Sequence, residues 1–160
     1  MNTELSSRDA ERRLARLGVA LPPIPSARAR YVQYHTTGAL VYISGQGPAF
    51  ADSAPSYGKV GKELTVEEGA DAARRAALNL LAVLKDACGG DLRRVKQCVR
   101  LNGYVNSAPG FVQQPTVIDG ATDLLFLVFG DSGLPTRVAV AAPDLPFNVS
   151  IEIDAIFELH

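Results

Sequence analysis

Thr65-Val66-Glu67-Glu68 opens the stretch on which the fold reading turns, residues 65–90. A threonine followed three residues later by a glutamate is the capping-box pattern, in which side chain and backbone satisfy each other's orphan N–H groups at a helix start. Behind it Val66, Ala70, Ala73, Ala77, Leu80, Leu81 and Leu84 recur at helical spacing, and Gly89-Gly90 stops the run. This predicts a long amphipathic helix whose small-residue face suits close packing on a sheet. Upstream, residues 31–36 and 39–44 are β-rich runs around Thr37-Gly38, a hairpin, and Gly45-Gln46-Gly47-Pro48 breaks the second strand. Residues 49–61 carry little periodicity and read as a loop. Downstream, residues 95–105 are strand-like, and Pro115 opens a second helix through Val117, Ala121, Leu124, Leu125 and Val128 to Gly130. Gly120 is its weak point, since a glycine inside a helix costs about 1 kcal/mol relative to alanine. Residues 136–142 and 149–157 give two more strands. In the last, Val149, Ile151, Ile153, Ala155 and Phe157 alternate with Ser150, Glu152 and Asp154.

The order β-β-α-β-α-β-β describes an α+β fold, a mixed sheet with two main helices packed on one face. The other face needs a cover, and a homo-oligomer supplies one economically. The single domain spans residues 30–160. Residues 1–29 precede it as a short helix over 7–17, capped by Ser6 or Ser7 and ended by Gly18, and a connector in which Pro22, Pro23 and Pro25 forbid regular structure. The basic residues of that helix, Arg8, Arg12, Arg13 and Arg16, fit a solvated face better than a binding patch.

Composition narrows the function. The 160 residues are 47% hydrophobic and 21% charged, which argues for a globular domain and against a disordered one. Sixteen Lys+Arg against seventeen Asp+Glu leave a net charge of −1, which counts against nucleic acid as the main partner. No apolar run reaches the length of a membrane span and the first residues are polar, so a cytoplasmic protein without membrane contact is expected. Cys88 and Cys98 show no metal or redox spacing, and the only histidines are His35, a strand residue, and His160 at the end of the sequence. No phosphate loop or nucleophile elbow is present, and no cofactor or metal is implied.

A polar group on strand ends remains. Arg137 lies in a strand of Val138, Ala139, Val140 and Ala141, where a guanidinium requires an anion: a protein carboxylate, or a ligand carboxylate or phosphate. Glu152 sits between two isoleucines, and the spacing alone favours a cross-strand Arg137–Glu152 salt bridge.

Leu134-Pro135-Thr136-Arg137-Val138-Ala139-Val140, then Leu145-Pro146, then Ile151-Glu152-Ile153-Asp154-Ala155 resembles the C-terminal signature of the Rid family, the YjgF-like or L-PSP endoribonuclease-like reactive-intermediate deaminases. Tyr31-Val32-Gln33, Ile43-Ser44-Gly45-Gln46-Gly47-Pro48 and the helix holding Asn79, Leu80 and Val83 match in order, so the resemblance runs from about Tyr31 to Phe157. It implies a chorismate-mutase-like fold assembled as a trimer, with clefts between subunits where 2-imino or 2-enamino acids are hydrolysed to 2-keto acids and ammonia. By position Arg137 matches the substrate-carboxylate arginine and Glu152 the acid that orients water. Tyr31 matches the cleft tyrosine, Gly45 the turn whose N–H meets the ligand, and Asn106 a polar residue beside the pocket. Each also has a plainer role: Arg137 and Glu152 as ion-pair partners, Tyr31 as a core or interface aromatic, Gly45 as a turn glycine, Ser44 and Gln46 as turn stabilisers. Three departures stand out. Val138 and Ala139 replace a Ser and Cys common in the family, residues 105–133 are longer, and residues 1–29 are added. The implied activity therefore competes with a non-catalytic trimer that binds small carboxylates. A ribonuclease ranks last, lacking a histidine pair and a basic surplus, and a chorismate mutase rests on fold analogy alone.

Overall fold

The capping box forms as its spacing requires. The Thr65 hydroxyl accepts from the Glu68 N–H at 3.2 Å, and the Glu68 carboxylate accepts from the Thr65 N–H at 2.8 Å. They open α2 (Val66–Ala87), a helix of 22 residues that ends where Gly89 and Gly90 take positive φ. The computed structural model describes residues 9–48 and 56–160. The other elements are α1 (Ala10–Arg16), β1 (Tyr34–Thr37), β2 (Leu40–Gln46), β3 (Val95–Asn106), α3 (Gln114–Phe129), β4 (Thr136–Ala142) and β5 (Ile151–Leu159). The strands form one sheet in the order β1-β2-β5-β3-β4, in which only β3 and β4 run parallel.

Alternation along β5 divides the sheet into two faces. Ile151, Ile153, Ala155, Phe157 and Leu159 are buried toward the helices, while Glu152, Asp154, Ile156 and Glu158 take the opposite face. The core joins this inner face to Leu80, Leu81 and Leu84 of α2 and to Ile118, Leu124, Leu125 and Phe129 of α3. The α+β architecture with helices on one face is the one expected. Residues 9–16 belong to it physically: Ala10 and Leu14 are buried in the same core, and the Arg13 guanidinium donates to the Val128 carbonyl at 3.3 Å. The expected caps Ser6 and Ser7, and residues 49–55 of the expected loop, lie outside the described residues.

Two expectations change. The small-residue face of α2 serves a helix crossing as well as the sheet. A Cβ on Gly120 of α3 would lie 2.0 Å from the Ala70 carbonyl oxygen, so the glycine that weakens α3 as an isolated helix lets it meet α2 backbone to backbone. Secondly, β2 does not end before Gly45. Ile43 pairs with Ala155 and Gln46 with Ile153, so Ser44 and Gly45 together face one residue of β5. This is a β-bulge, and it carries the strand through the glycine while re-aiming the chain beside Glu152.

Candidate functional site

The bulge is fastened by the residues around it. The Ser44 hydroxyl donates to the Val32 carbonyl at 2.6 Å, and the Gln46 amide donates to Gln33 Oε1 at 2.9 Å and to the Ser44 carbonyl at 3.0 Å. The Gln33 amide then donates to the Pro25 carbonyl at 2.6 Å, which ties the proline-rich connector down over the bulge. Asn79 of α2 holds the end of β2 by donating to the Gly47 carbonyl at 2.9 Å. Ser44 and Gln46 are thus scaffold, in keeping with the turn-stabilising role expected of them.

This scaffold shapes a cleft of about 740 Å³ beside the bulge, and Tyr31, Gly45 and Glu152 all line it, with Asn79 of α2. Gly45 is required at its place: a Cβ there would lie 2.2 Å from Glu152 Oε1. The Glu152 carboxylate therefore rests directly over the bulge, half-buried, and accepts no hydrogen bond from the described residues. Burial, and secondarily the neighbouring charge of Asp154, raise its pKa above the ordinary carboxylate range. Asp154 is held by the Asn102 amide at 2.7 Å, and Asn102 in turn by Arg100 at 2.9 Å. Across from Glu152 on β3, Tyr104 has its phenol pKa raised, chiefly by burial and then by Asp154. The outer face thus presents one acid fixed by an amide and one acid free to exchange a proton.

Arg137 stands elsewhere. Its β3 partner is Leu101, a buried core residue that also pairs with Ala155, so Arg137 projects toward the helices. Glu152 pairs with Tyr104, whose partner on β4 is Val140, on the outer face. The cross-strand salt bridge expected from spacing does not form, because the register puts the two side chains three rows apart and on opposite faces. The Arg137 guanidinium instead bonds Asp119 of α3 at 2.7 Å and the Thr122 hydroxyl at 3.1 Å, both through Nη1. The anion that its apolar strand demanded is a protein carboxylate in α3, invisible to motif reading because Asp119 is eighteen residues away.

Asn106 is also outside the cleft. It is buried at the end of β3, where Oδ1 accepts from Lys59 at 2.8 Å and Nδ2 donates to Asn148 Oδ1 at 3.2 Å and the Val149 carbonyl at 3.1 Å. The Lys59 ammonium also meets the Pro143 carbonyl and, at 3.5 Å, Asp144. Asn106 therefore fixes the loop between β4 and β5, whose Pro146, Phe147 and Val149 form one wall of the cleft. Arg28, Phe147 and Asp154 line it without having been singled out as site residues. Asp154 was legible from strand alternation, whereas nothing local marks Arg28 or Phe147.

Both cysteines are buried in the core, and burial pushes Cys88 up to about 11 and Cys98 up to about 12. Thiolate is scarce at neutral pH in either case. Ellman's reagent at pH 7.5 should label neither residue in the folded protein within minutes, and both in denaturant. Rapid native labelling would show that one site opens. Among the described residues, no helix is long and apolar enough to cross a membrane.

Comparison with known proteins agrees with this architecture. A Trypanosoma cruzi protein, Protein TCP17, is 42% identical over 148 residues, covering 92% of each chain. The crystal structure of Atu1372 from Agrobacterium tumefaciens, a protein of unknown function, superposes with a TM-score of 0.88 at 42% identity, covering 96% of this chain and 94% of that one. A Shewanella oneidensis protein described as a "putative endoribonuclease" gives a TM-score of 0.90 at 37% identity, covering 94% and 99%. The family model "YjgF/chorismate_mutase-like, putative endoribonuclease" matches residues 11–159. With the fold, the C-terminal signature and this match in agreement, the chain belongs to the YjgF family, to which the Rid proteins also belong.

Proposed function

We propose that the protein is an enamine/imine deaminase that converts 2-imino acids, and their 2-enamino tautomers, to 2-keto acids and ammonia. The observation that carries this reading is the Glu152 carboxylate: half-buried, raised in pKa, seated over Gly45 and lining a cleft with Tyr31. The C=N carbon is already electrophilic, so the protein has only to place water and move protons. Glu152 accepts a proton as the water oxygen bonds to C2 of the iminium, giving a carbinolamine, and returns that proton to nitrogen. The C–N bond then breaks and ammonia leaves as the hydroxyl gives its own proton to the Glu152 carboxylate and C=O forms. Tyr31 and the backbone at Gly45 border the substrate.

In this reading Arg137 holds the substrate carboxylate. Arg137 and Glu152 lie on opposite faces of one chain's sheet, so a single substrate meets both only where two copies join. This supports a homo-oligomer, a trimer as in the Rid resemblance, with clefts between subunits. Arg137 bonds Asp119 through Nη1, and a carboxylate arriving on its remaining N–H groups would share the guanidinium with Asp119. That prior engagement also favours a second reading, a non-catalytic oligomer that binds small carboxylates. A ribonuclease is disfavoured, because the net charge is −1 and the cleft holds two acids.

The deciding assay generates 2-aminoacrylate and 2-aminocrotonate with a pyridoxal-phosphate dehydratase, traps them with semicarbazide, and follows the restoration of keto-acid formation. Acceleration by the wild type, lost in Arg137→Ala, is the expected result. Absence of acceleration from a folded oligomer that still binds 2-keto acids would leave a larger imine substrate or the second reading, and absence on larger imino acids as well would favour the second.

A further inference from the structure

The mouth of the cleft is built from two segments that the acid chemistry does not use. One is the connector held down by Gln33, which brings Arg28 to the rim. The other is the loop between β4 and β5, where Phe147 and Asn148 take φ of 58° and 57° in succession. Left-handed backbone is tolerable for asparagine but strained for a phenylalanine. Here it is enforced by hydrogen bonds: Asn106 to Asn148 Oδ1, the Gly58 N–H to the Asn148 carbonyl at 2.9 Å, and the Asn148 N–H to the Leu145 carbonyl at 3.0 Å. The consequence is a phenylalanine held 66% exposed at the cleft, with the Arg28 guanidinium 4.8 Å from its ring centre.

A phenylalanine kept in solvent by a strained backbone contributes little to folding, so its use lies in what it holds. The contact with the ring restrains the guanidinium by a cation–π attraction without using its N–H groups as donors to a carboxylate. Among the described residues Arg28 has no carboxylate partner, and it is the one cation lining the cleft, which also holds the acids Glu152 and Asp154.

We propose that Arg28, oriented by Phe147, is a specificity residue that binds a second, distal carboxylate, so that the cleft prefers dicarboxylic 2-imino and 2-keto acids to monocarboxylic ones. This rests on the reading of the cleft as a 2-imino acid site, with Arg137 reserved for the carboxylate next to the reacting carbon. Asn106 then has a positioning role, since it fastens the loop that presents Phe147.

Stable keto acids test this without turnover. Titration calorimetry on the full-length protein compares 2-oxoglutarate with 2-oxopentanoate, five-carbon acids that differ in the terminal carboxylate, and includes phenylpyruvate. A lost charge-assisted bidentate contact makes the expected preference for 2-oxoglutarate about tenfold or more. Arg28→Gln should erase the preference while leaving 2-oxopentanoate affinity unchanged, Arg28→Lys should keep part of it, and Phe147→Leu should reduce it severalfold. Equal affinities in the wild type, a preference that survives Arg28→Gln, or tightest binding of phenylpyruvate would each overturn the proposal; the last would make Phe147 a wall for aromatic substrates. The coupled assay, extended to the dicarboxylic 2-iminoglutarate formed by an L-glutamate oxidase, separates the two readings. A dicarboxylate preference without turnover sinks the deaminase and leaves Arg28 its role, whereas turnover without the preference does the reverse.

Discussion

Glu152→Gln folds normally and loses imine hydrolysis by about 10²–10⁴-fold, the usual contribution of a positioned acid–base group. Glutamine keeps the shape of the side chain over Gly45 but cannot take a proton from water and return it to nitrogen. Stability moves the other way. A carboxyl whose folded pKa is raised binds its proton more tightly in the native state, so its contribution to stability is lost as pH rises through the raised value. The neutral amide removes that loss, and thermal unfolding at pH 7.5 should show Glu152→Gln at least as stable as the wild type. Activity should fall on the acid side, with a midpoint above the ordinary carboxylate range, because the working form is the carboxylate and burial with Asp154 displaces its titration upward. Gly45→Ala supplies the geometric counterpart. A methyl 2.2 Å from Oε1 must push the carboxylate aside, and activity should drop. Full activity in Glu152→Gln would remove this residue from the chemistry and with it the deaminase mechanism.

The parts of this molecule written in local pattern were legible, and those written in tertiary register were not. The capping box, the alternation of β5 and the hairpin at Gly38 each depend on residues within a few positions, and each formed, although β1 begins at Tyr34 rather than residue 31 and β5 runs over 151–159 rather than 149–157. Gly45, Glu152 and Tyr31 could be grouped from the Rid resemblance, and one cleft does hold them. Arg137 could not be placed by the same means. Its facing depends on which strand lies beside β4, and its partner Asp119 comes from α3, eighteen residues upstream. Asn106 shows the same limit, since its buried amide is spent on Lys59 and the loop between β4 and β5 rather than on the cleft. Arg28 and Phe147 meet across more than a hundred residues, with no spacing to announce the contact.

Gly120→Ala is expected to destabilise the protein even though it improves the helix. In an isolated helix the change gains about 1 kcal/mol. In the folded chain the added methyl would stand 2.0 Å from the Ala70 carbonyl oxygen and 2.7 Å from its carbon. These are backbone atoms of α2, hydrogen-bonded into the helix, so no rotamer change relieves the contact and α2 and α3 must separate. Forcing an extra carbon into a packed site costs roughly 1–3 kcal/mol, and a clash against backbone belongs at or above the upper end. The net loss of about 2 kcal/mol, after the helical gain, lowers Tm by about 4–8 °C in a chain of this length. Gly120→Val, with two further carbons and poorer helix propensity, should fail to give folded protein. Asp123→Ala, on the exposed side of the same helix, should change stability by no more than about 0.5 kcal/mol. Differential scanning calorimetry of the three variants decides the point: a Gly120→Ala protein as stable as the wild type would mean that the two helices part at negligible cost, and that the glycine is not what sets their approach.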